Sequence, residues 1–225
     1  MKRMLVKVCG ITRAEDARLC AALGADMLGF IFHPGSPRCV DPSLPASLDG
    51  QVDLMGARKV GLFVDQTPDE ALALLEAGKL HLAQLHGGQD EAFCRKIGPE
   101  RVLKVLWPER AANVDQFQAE IDRFAPYCRL FVVDAGSSGG GHGREIGGAG
   151  ADILARAKFP VPWLLAGGIG PDNATDMLTR YGSADKFGGL DLNSGVESAP
   201  GIKDSSKLRA AMSAIKAFRA PKHKG

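Results

Sequence analysis

No hydrophobic run in this chain comes near the ~20 residues that a membrane span needs, and Met1-Lys2-Arg3 leads into a strand pattern instead of the long apolar core of a signal peptide. These absences set the expectation of a soluble, cytoplasmic protein with no membrane partner. Charge of one sign is equally scarce. Lys and Arg number 28 against 26 Asp and Glu, the formal net charge is +2, and only Lys222-His223-Lys224 gathers basic residues. Without a basic stripe, no nucleic-acid partner is expected. Cys9, Cys20, Cys39, Cys94 and Cys128 are odd in number and form no C-x-x-C pair, so they read as free thiols in a reducing compartment. His33, His81, His86, His142 and His223 lack helical H-x-x-x-H spacing, and no carboxylate group resembles a divalent-cation cage. No metal is expected.

What is present is a regular alternation. A hydrophobic fraction of 45% and a charged fraction of 24% over 225 residues suit one globular domain with a sizeable core. Short β-rich apolar runs predict strands over 5–8, 27–32, 59–64, 82–85, 102–106, 130–134, 163–166 and 187–192. Amphipathic stretches between them predict helices near 14–23, 43–48, 69–77, 91–97, 111–123, 150–157, 173–181 and 205–218. Repeating β/α units of roughly 28 residues suit an α/β fold, a single (β/α)8 TIM barrel over 1–218, with a basic tail over 219–225. A doubly wound open sheet is the alternative, though it seldom needs so many evenly spaced units. Thr12 and Thr67 read as helix caps, Pro68 and Pro171 as first-turn prolines, and Gly24 and Gly78 as helix stops. One stretch, 135–150, is glycine-rich and too polar to pack. It reads either as a mobile surface connection or as an active-site lid leaving the end of the sixth strand.

Two late strand–turn–helix junctions stand out. Leu164-Leu165-Ala166-Gly167-Gly168-Ile169 and Leu190-Asp191-Leu192-Asn193-Ser194-Gly195-Val196-Glu197 each run from a buried strand into a glycine-bearing turn, an arrangement that aims backbone N–H groups at an anion. The last two strand–helix turns of a β/α barrel commonly hold phosphate. The same fold keeps its chemistry at the C-terminal ends of the strands, which selects Cys9, Arg38, Gln84, His86, Asp134 and Asp191. A lone strand cysteine is usually a small buried hydrophobe, but an electropositive mouth would make Cys9 a usable base. Asp134, delivered by four apolar residues, is either a turn cap or an acid facing that base from the opposite side of the barrel. Arg38 is either a solvated loop charge or a fork for a substrate carboxylate. Gln84 and His86 share one strand face, and Asp191 and Asn193 could order the phosphate turn.

With these residues in place, the chain closely resembles the phosphoribosylanthranilate isomerase family of tryptophan biosynthesis. The likeness spans nearly the whole length, through Lys7-Val8-Cys9-Gly10-Ile11-Thr12, Gly24-Ala25-Asp26, Gly29-Phe30-Ile31-Phe32, Ser36-Pro37-Arg38, Val60-Gly61-Leu62-Phe63-Val64-Asp65, Gln84-Leu85-His86-Gly87, Ala166-Gly167-Gly168, Ser194-Gly195-Val196-Glu197 and Pro200-Gly201-Ile202-Lys203-Asp204. The resemblance implies Cys9 as general base, Asp134 as general acid and Arg38 as the carboxylate ligand, with Gln84, His86 and Asp191 against the substrate. It places phosphate on Gly140, Gly141, Gly143, Gly167, Gly168, Asn193, Ser194 and Gly195. It implies a phosphosugar substrate, no cofactor, and a monomer or homodimer. The chain departs from the family pattern in two places. Gly140-Gly141-His142-Gly143-Arg144-Glu145-Ile146 stands where a G-G-(Ser/Thr)-G turn followed by Phe-Asp-Trp is usual, and Asn193 stands where Ser is usual. The alternatives are another phosphosugar isomerase or epimerase on the same barrel, and a non-catalytic binder of phosphorylated ligands.

Overall fold

The computed structural model describes residues 4–134 and 148–219. Its strands are β1 (Leu5–Val8), β2 (Met27–Ile31), β3 (Arg58–Phe63), β4 (Leu82–Leu85), β5 (Val102–Leu106), β6 (Leu130–Asp134), β7 (Trp163–Ala166) and β8 (Phe187–Leu192). Each is buried almost end to end, because a parallel sheet covered by helices loses both faces to the interior and so reads as an unbroken apolar run. The strands pair in chain order and β8 returns to β1, closing the barrel with Leu5 opposite Gly189 and Val8 opposite Leu192. Gly189 permits that closure. Its φ is +142°, and a Cβ there would stand 1.8 Å from the Leu5 carbonyl oxygen.

Helices α1 (Ala14–Ala22), α2 (Ser43–Gln51), α3 (Pro68–Ala77), α4 (Glu91–Ile97), α5 (Val114–Phe124), α6 (Gly148–Arg156), α7 (Ala174–Tyr181) and α8 (Ser205–Arg219) intervene between the strands or follow the last. Strand alternation sorts the core into two layers. Phe131 and Val133 join Val6, Val8 and Phe117 between strands and helices, whereas Leu130 and Val132 join Val60, Leu82, Leu103 and Leu164 inside the barrel. Asp134, two residues beyond Val132 on the same face, therefore faces the barrel mouth. The expected tail lies outside the described residues except Arg219, which ends α8. Among the described residues no helix is long and apolar enough to cross a membrane.

The punctuation holds at α3, where Thr67 and Glu70 form a reciprocal capping box with Pro68 in the first turn, and at Gly24, whose φ is +87°. It fails at α1 and α7. Arg13 is the residue at the N-cap of α1, while Thr12 Oγ1 donates to the Gly201 carbonyl at 2.5 Å, drawn away by the segment that follows β8. Pro171 sits in the turn before α7, which begins only at Ala174. Helix α5 starts later than expected because the Asn113 side chain caps it by accepting the Gln116 N–H, after a 3-10 turn over Pro108–Arg110. Between β8 and α8 a short antiparallel ribbon, β9 (Glu197–Ala199) and β10 (Ile202–Lys203), adds an element that the strand pattern does not predict.

Candidate active site

A cavity of about 760 Å³ opens at the C-terminal ends of the strands, within the size range of small-molecule sites. The fold brings Cys9, Arg38, Gln84, His86, Asp134 and Asp191 into its wall together with Gly167, Gly168, Asn193 and Ser194. Cys9 and Asp134 belong to strands three steps apart around the barrel, β1 and β6, and so face one another across the mouth.

The β1 side is charged below its surface. Lys7 and Cys9 project from the same face, as i and i+2 on a strand must. The Lys7 ammonium donates to Asp191 Oδ2 at 2.7 Å, with the lysine side chain fully buried, and its charge acts on the Cys9 thiol as well. Burial pushes the Cys9 thiol up from its ordinary value and the Lys7 charge opposes that shift. For Lys7 burial works toward neutrality, but attraction to Asp191 and Cys9 outweighs it and the ammonium is held charged.

On the facing wall the His86 ring meets Trp107 edge-on at 5.2 Å, and its Nε2 lies 3.9 Å from Asp134 Oδ2, beyond hydrogen-bond reach. Burial, with repulsion from Lys7, Arg110 and Lys104, lowers the His86 pKa to about 4, so the imidazole is neutral at neutral pH. Arg110 packs 3.8 Å above the Trp107 ring. Four buried polar atoms of the cavity wall have no protein partner among the described residues: Gln84 Oε1, His86 Nδ1, Trp107 Nε1 and Asp191 Oδ1. Such atoms are costly unless a ligand or solvent meets them, so they point to a polar occupant.

Beyond β7, Gly167 and Gly168 adopt φ of +102° and +59°, which β-carbons disfavour. Beyond β8, a 3-10 turn over Ser194–Val196 turns its carbonyls inward. Asn193 O accepts the Val196 N–H, and Ser194 O accepts the Glu197 N–H. The leading N–H groups of such a turn find no acceptor within it and suit an anion. Gly195 sits in the joint between the two turns, where a Cβ would come 2.3 Å from the Ile169 carbonyl oxygen. Gly140, Gly141 and Gly143, and the proposed lid, lie outside the described residues apart from the start of α6.

Arg38 is not a solvated loop charge. Its Nε reaches Glu197 Oε1 and Oε2 at 3.0 and 3.1 Å, and its Nη2 reaches Oε2 at 2.6 Å. The Asp191 carboxylate is engaged by Lys7, and the Asn193 side-chain oxygen accepts from the Lys203 ammonium. Lys7, Trp107, Arg110, Glu197 and Lys203 are absent from the residues selected by sequence. Lys7 was within reach through its i,i+2 relation to Cys9, and Trp107 through its place just after β5. Lys203 lies in a motif that carries the family resemblance, but the strand pattern does not predict the ribbon that aims it at the site. Among the described residues no group of three His, Cys, Asp or Glu is placed to hold a metal ion.

Residues 6–214 match the family model described as N-(5'phosphoribosyl)anthranilate (PRA) isomerase. The N-(5'-phosphoribosyl)anthranilate isomerase of Maridesulfovibrio salexigens is 50% identical over 212 residues, covering 94% of this chain and 98% of that protein. The crystal structure of phosphoribosyl anthranilate isomerase from Thermus thermophilus superposes with a TM-score of 0.79 at 35% identity, over 96% of this chain and all of that one (100%). A phosphoribosyl anthranilate isomerase in complex with reduced 1-(o-carboxyphenylamino)-1-deoxyribulose 5-phosphate superposes with a TM-score of 0.75 at 26% identity, covering 96% and 100% of the two chains.

Proposed function

This chain belongs to the N-(5'-phosphoribosyl)anthranilate isomerase family, and from that premise we propose that its cavity carries out the Amadori rearrangement of N-(5-phosphoribosyl)anthranilate to 1-(2-carboxyphenylamino)-1-deoxyribulose 5-phosphate. It is an isomerase of tryptophan biosynthesis. The Asp134 carboxyl gives a proton to the furanose ring oxygen while the C1–O bond breaks, and the anilino nitrogen lone pair forms the C1=N iminium. Cys9 as thiolate then takes the C2 proton. The C–H electron pair becomes the C1=C2 bond and the iminium electrons return to nitrogen. The enolamine loses its C2 hydroxyl proton and gains a proton at C1, which yields the ketone. The iminium is the electron sink, so the reading calls for no cofactor; the protein supplies placement and proton transfer.

The observation that carries this reading is the shared cavity. One acid-bearing and one thiol-bearing strand end face a single space walled by the glycine turns after β7 and β8 and by Arg38. Lys7 supports the thiolate, since a buried cation beside the sulfur favours its charged form. In the same reading the turns at Gly167–Gly168 and Asn193–Gly195 take the phosphate, Arg38 takes the anthranilate carboxylate, and Gln84, His86 and Asp191 meet the sugar hydroxyls and nitrogen. Incubating the purified chain with N-(5-phosphoribosyl)anthranilate and measuring product formation tests it. Tight binding of the reduced product without turnover of substrate would leave only a phosphate-ligand binder.

A further inference from the structure

The buried charges around Arg38 form a chain of contacts that the reaction itself does not require. Glu197 occupies the Nε–Nη2 side of the guanidinium. Its Oε1 also accepts from the Lys203 ammonium at 2.7 Å and from the Gly201 N–H at 3.3 Å. Lys203 reaches on to Asn193 Oδ1 at 3.1 Å, in the turn after β8. Gly10, with φ of +71°, makes room for the assembly, because a Cβ there would stand 2.6 Å from Asn193 Oδ1 and 2.8 Å from Arg38 Cδ. All three charged side chains are nearly or fully buried, and isolating such charges from water is costly unless their geometry is needed. Burial would raise the Glu197 carboxyl, yet the Arg38 hydrogen bonds and the Lys203 charge hold it below its ordinary value.

We propose that Glu197 is the positioning residue of this site: by taking the Nε–Nη2 side of Arg38 it leaves the end-on Nη1–Nη2 edge for the substrate carboxylate, and through Lys203 it ties that edge to Asn193 in the phosphate turn. The ribbon β9–β10 is then the device that aims Arg38, since it contributes both Glu197 and Lys203. The inference rests on the reading of Arg38 as the carboxylate ligand.

Calorimetric titration of reduced 1-(o-carboxyphenylamino)-1-deoxyribulose 5-phosphate and of its counterpart lacking the carboxylate, into wild type, Glu197→Gln, Arg38→Ala and the double variant, tests both levels. Glu197→Gln is expected to weaken the carboxylated ligand about tenfold or more, the scale of a charge-assisted hydrogen bond, and the other ligand less than about twofold. That selective loss is expected to vanish when Arg38 is already Ala. Equal weakening of both ligands by Glu197→Gln, or an undiminished effect in the Arg38→Ala background, overturns the proposal while leaving Arg38 as the carboxylate ligand. Failure of Arg38→Ala to discriminate between the ligands overturns both. Glu197→Gln leaves Arg38 and Lys203 buried without their carboxylate, so Glu197→Gln with Lys203→Met, which preserves net charge, serves as a second variant; it is expected to fold and to show the same selective loss, and indifference to the carboxylate would again overturn the proposal.

Discussion

Lys7 and Asp191 form a buried ion pair of 2.7 Å across the seam where β8 closes on β1, two residues below the Cys9 thiol. The pair joins barrel closure to the chemistry of the site, because the same ammonium bonds the carboxylate and acts electrostatically on the thiol.

Removing one member of such a pair strands the other. Lys7→Met is expected to cost about 3–5 kcal/mol in urea unfolding, and Lys7→Met with Asp191→Leu to recover most of that loss. The Lys7 pKa is raised in the fold, so the stability linked to this lysine's proton is fully present just below pH 10.5 and is lost as pH climbs through the folded value. A single-variant loss under about 1 kcal/mol would mean that water reaches the pair.

The thiol itself should report the same charge. Burial raises Cys9, while Lys7 and Lys203 lower it and Asp191 raises it, so alkylation by iodoacetamide is expected to titrate with a midpoint above 9.0. In Lys7→Gln the midpoint should move higher still, and the acid limb of kcat/KM should move with it. An unmoved midpoint would remove Lys7 from the activation of the base.

If Cys9 and Asp134 transfer protons, their near-isosteric replacements should separate chemistry from binding. Cys9→Ser and Asp134→Asn are each expected to lower turnover by about 100- to 10,000-fold, with affinity for the reduced product changed far less. A rise in KM alone would reassign the residue to binding or structure.

His86 offers a test against pH. Its pKa falls from 6.5 to about 4 in the fold, chiefly through burial, so between those values the unfolded chain binds the extra proton and the folded one does not. Stability should therefore be full above pH 6.5 and decline as pH falls toward 4, with this residue's share amounting to roughly 3 kcal/mol. Chemical unfolding of wild type and His86→Gln across that window checks it; parallel curves would show that other groups govern the decline.

Gly29 on β2 probes the placement of the thiol without altering any ionisable group. A Cβ there would lie 2.7 Å from Cys9 Sγ and 3.1 Å from the Cys9 Cα. Because backbone stands in the way, Gly29→Ala is expected to destabilise by about 1–3 kcal/mol and to lower kcat in protein that remains folded. Full kcat in the folded variant would show that the thiol tolerates displacement.

Where the strands lie was legible at single-residue resolution for β1 and for β4 through β8, since buried parallel strands are continuous apolar runs bounded by Gly, Pro and polar residues. Strand-end logic also selected Cys9, Gln84, His86, Asp134 and Asp191, all of which line the cavity. The caps were less legible. Thr12 has the side chain of a cap, but it stands one residue before the N-cap and a carbonyl 189 residues away takes its hydroxyl. The role of Arg38 was legible only as a pair of options, because nothing near it in the chain indicates that Glu197 holds it.

The sequence by itself determined the alternation of strand and helix, the face on which Asp134 and Cys9 emerge, and the glycine turns after β7 and β8. These depend on residues a few positions apart, through side-chain alternation and allowed φ values. Only the tertiary structure decided that Lys7 meets Asp191 across 184 positions and that Arg38 meets Glu197 across 159. Such pairings follow from the register at which β8 closes on β1 and from the ribbon that follows it, and they are formed where burial makes each charge depend on the partners that closure brings.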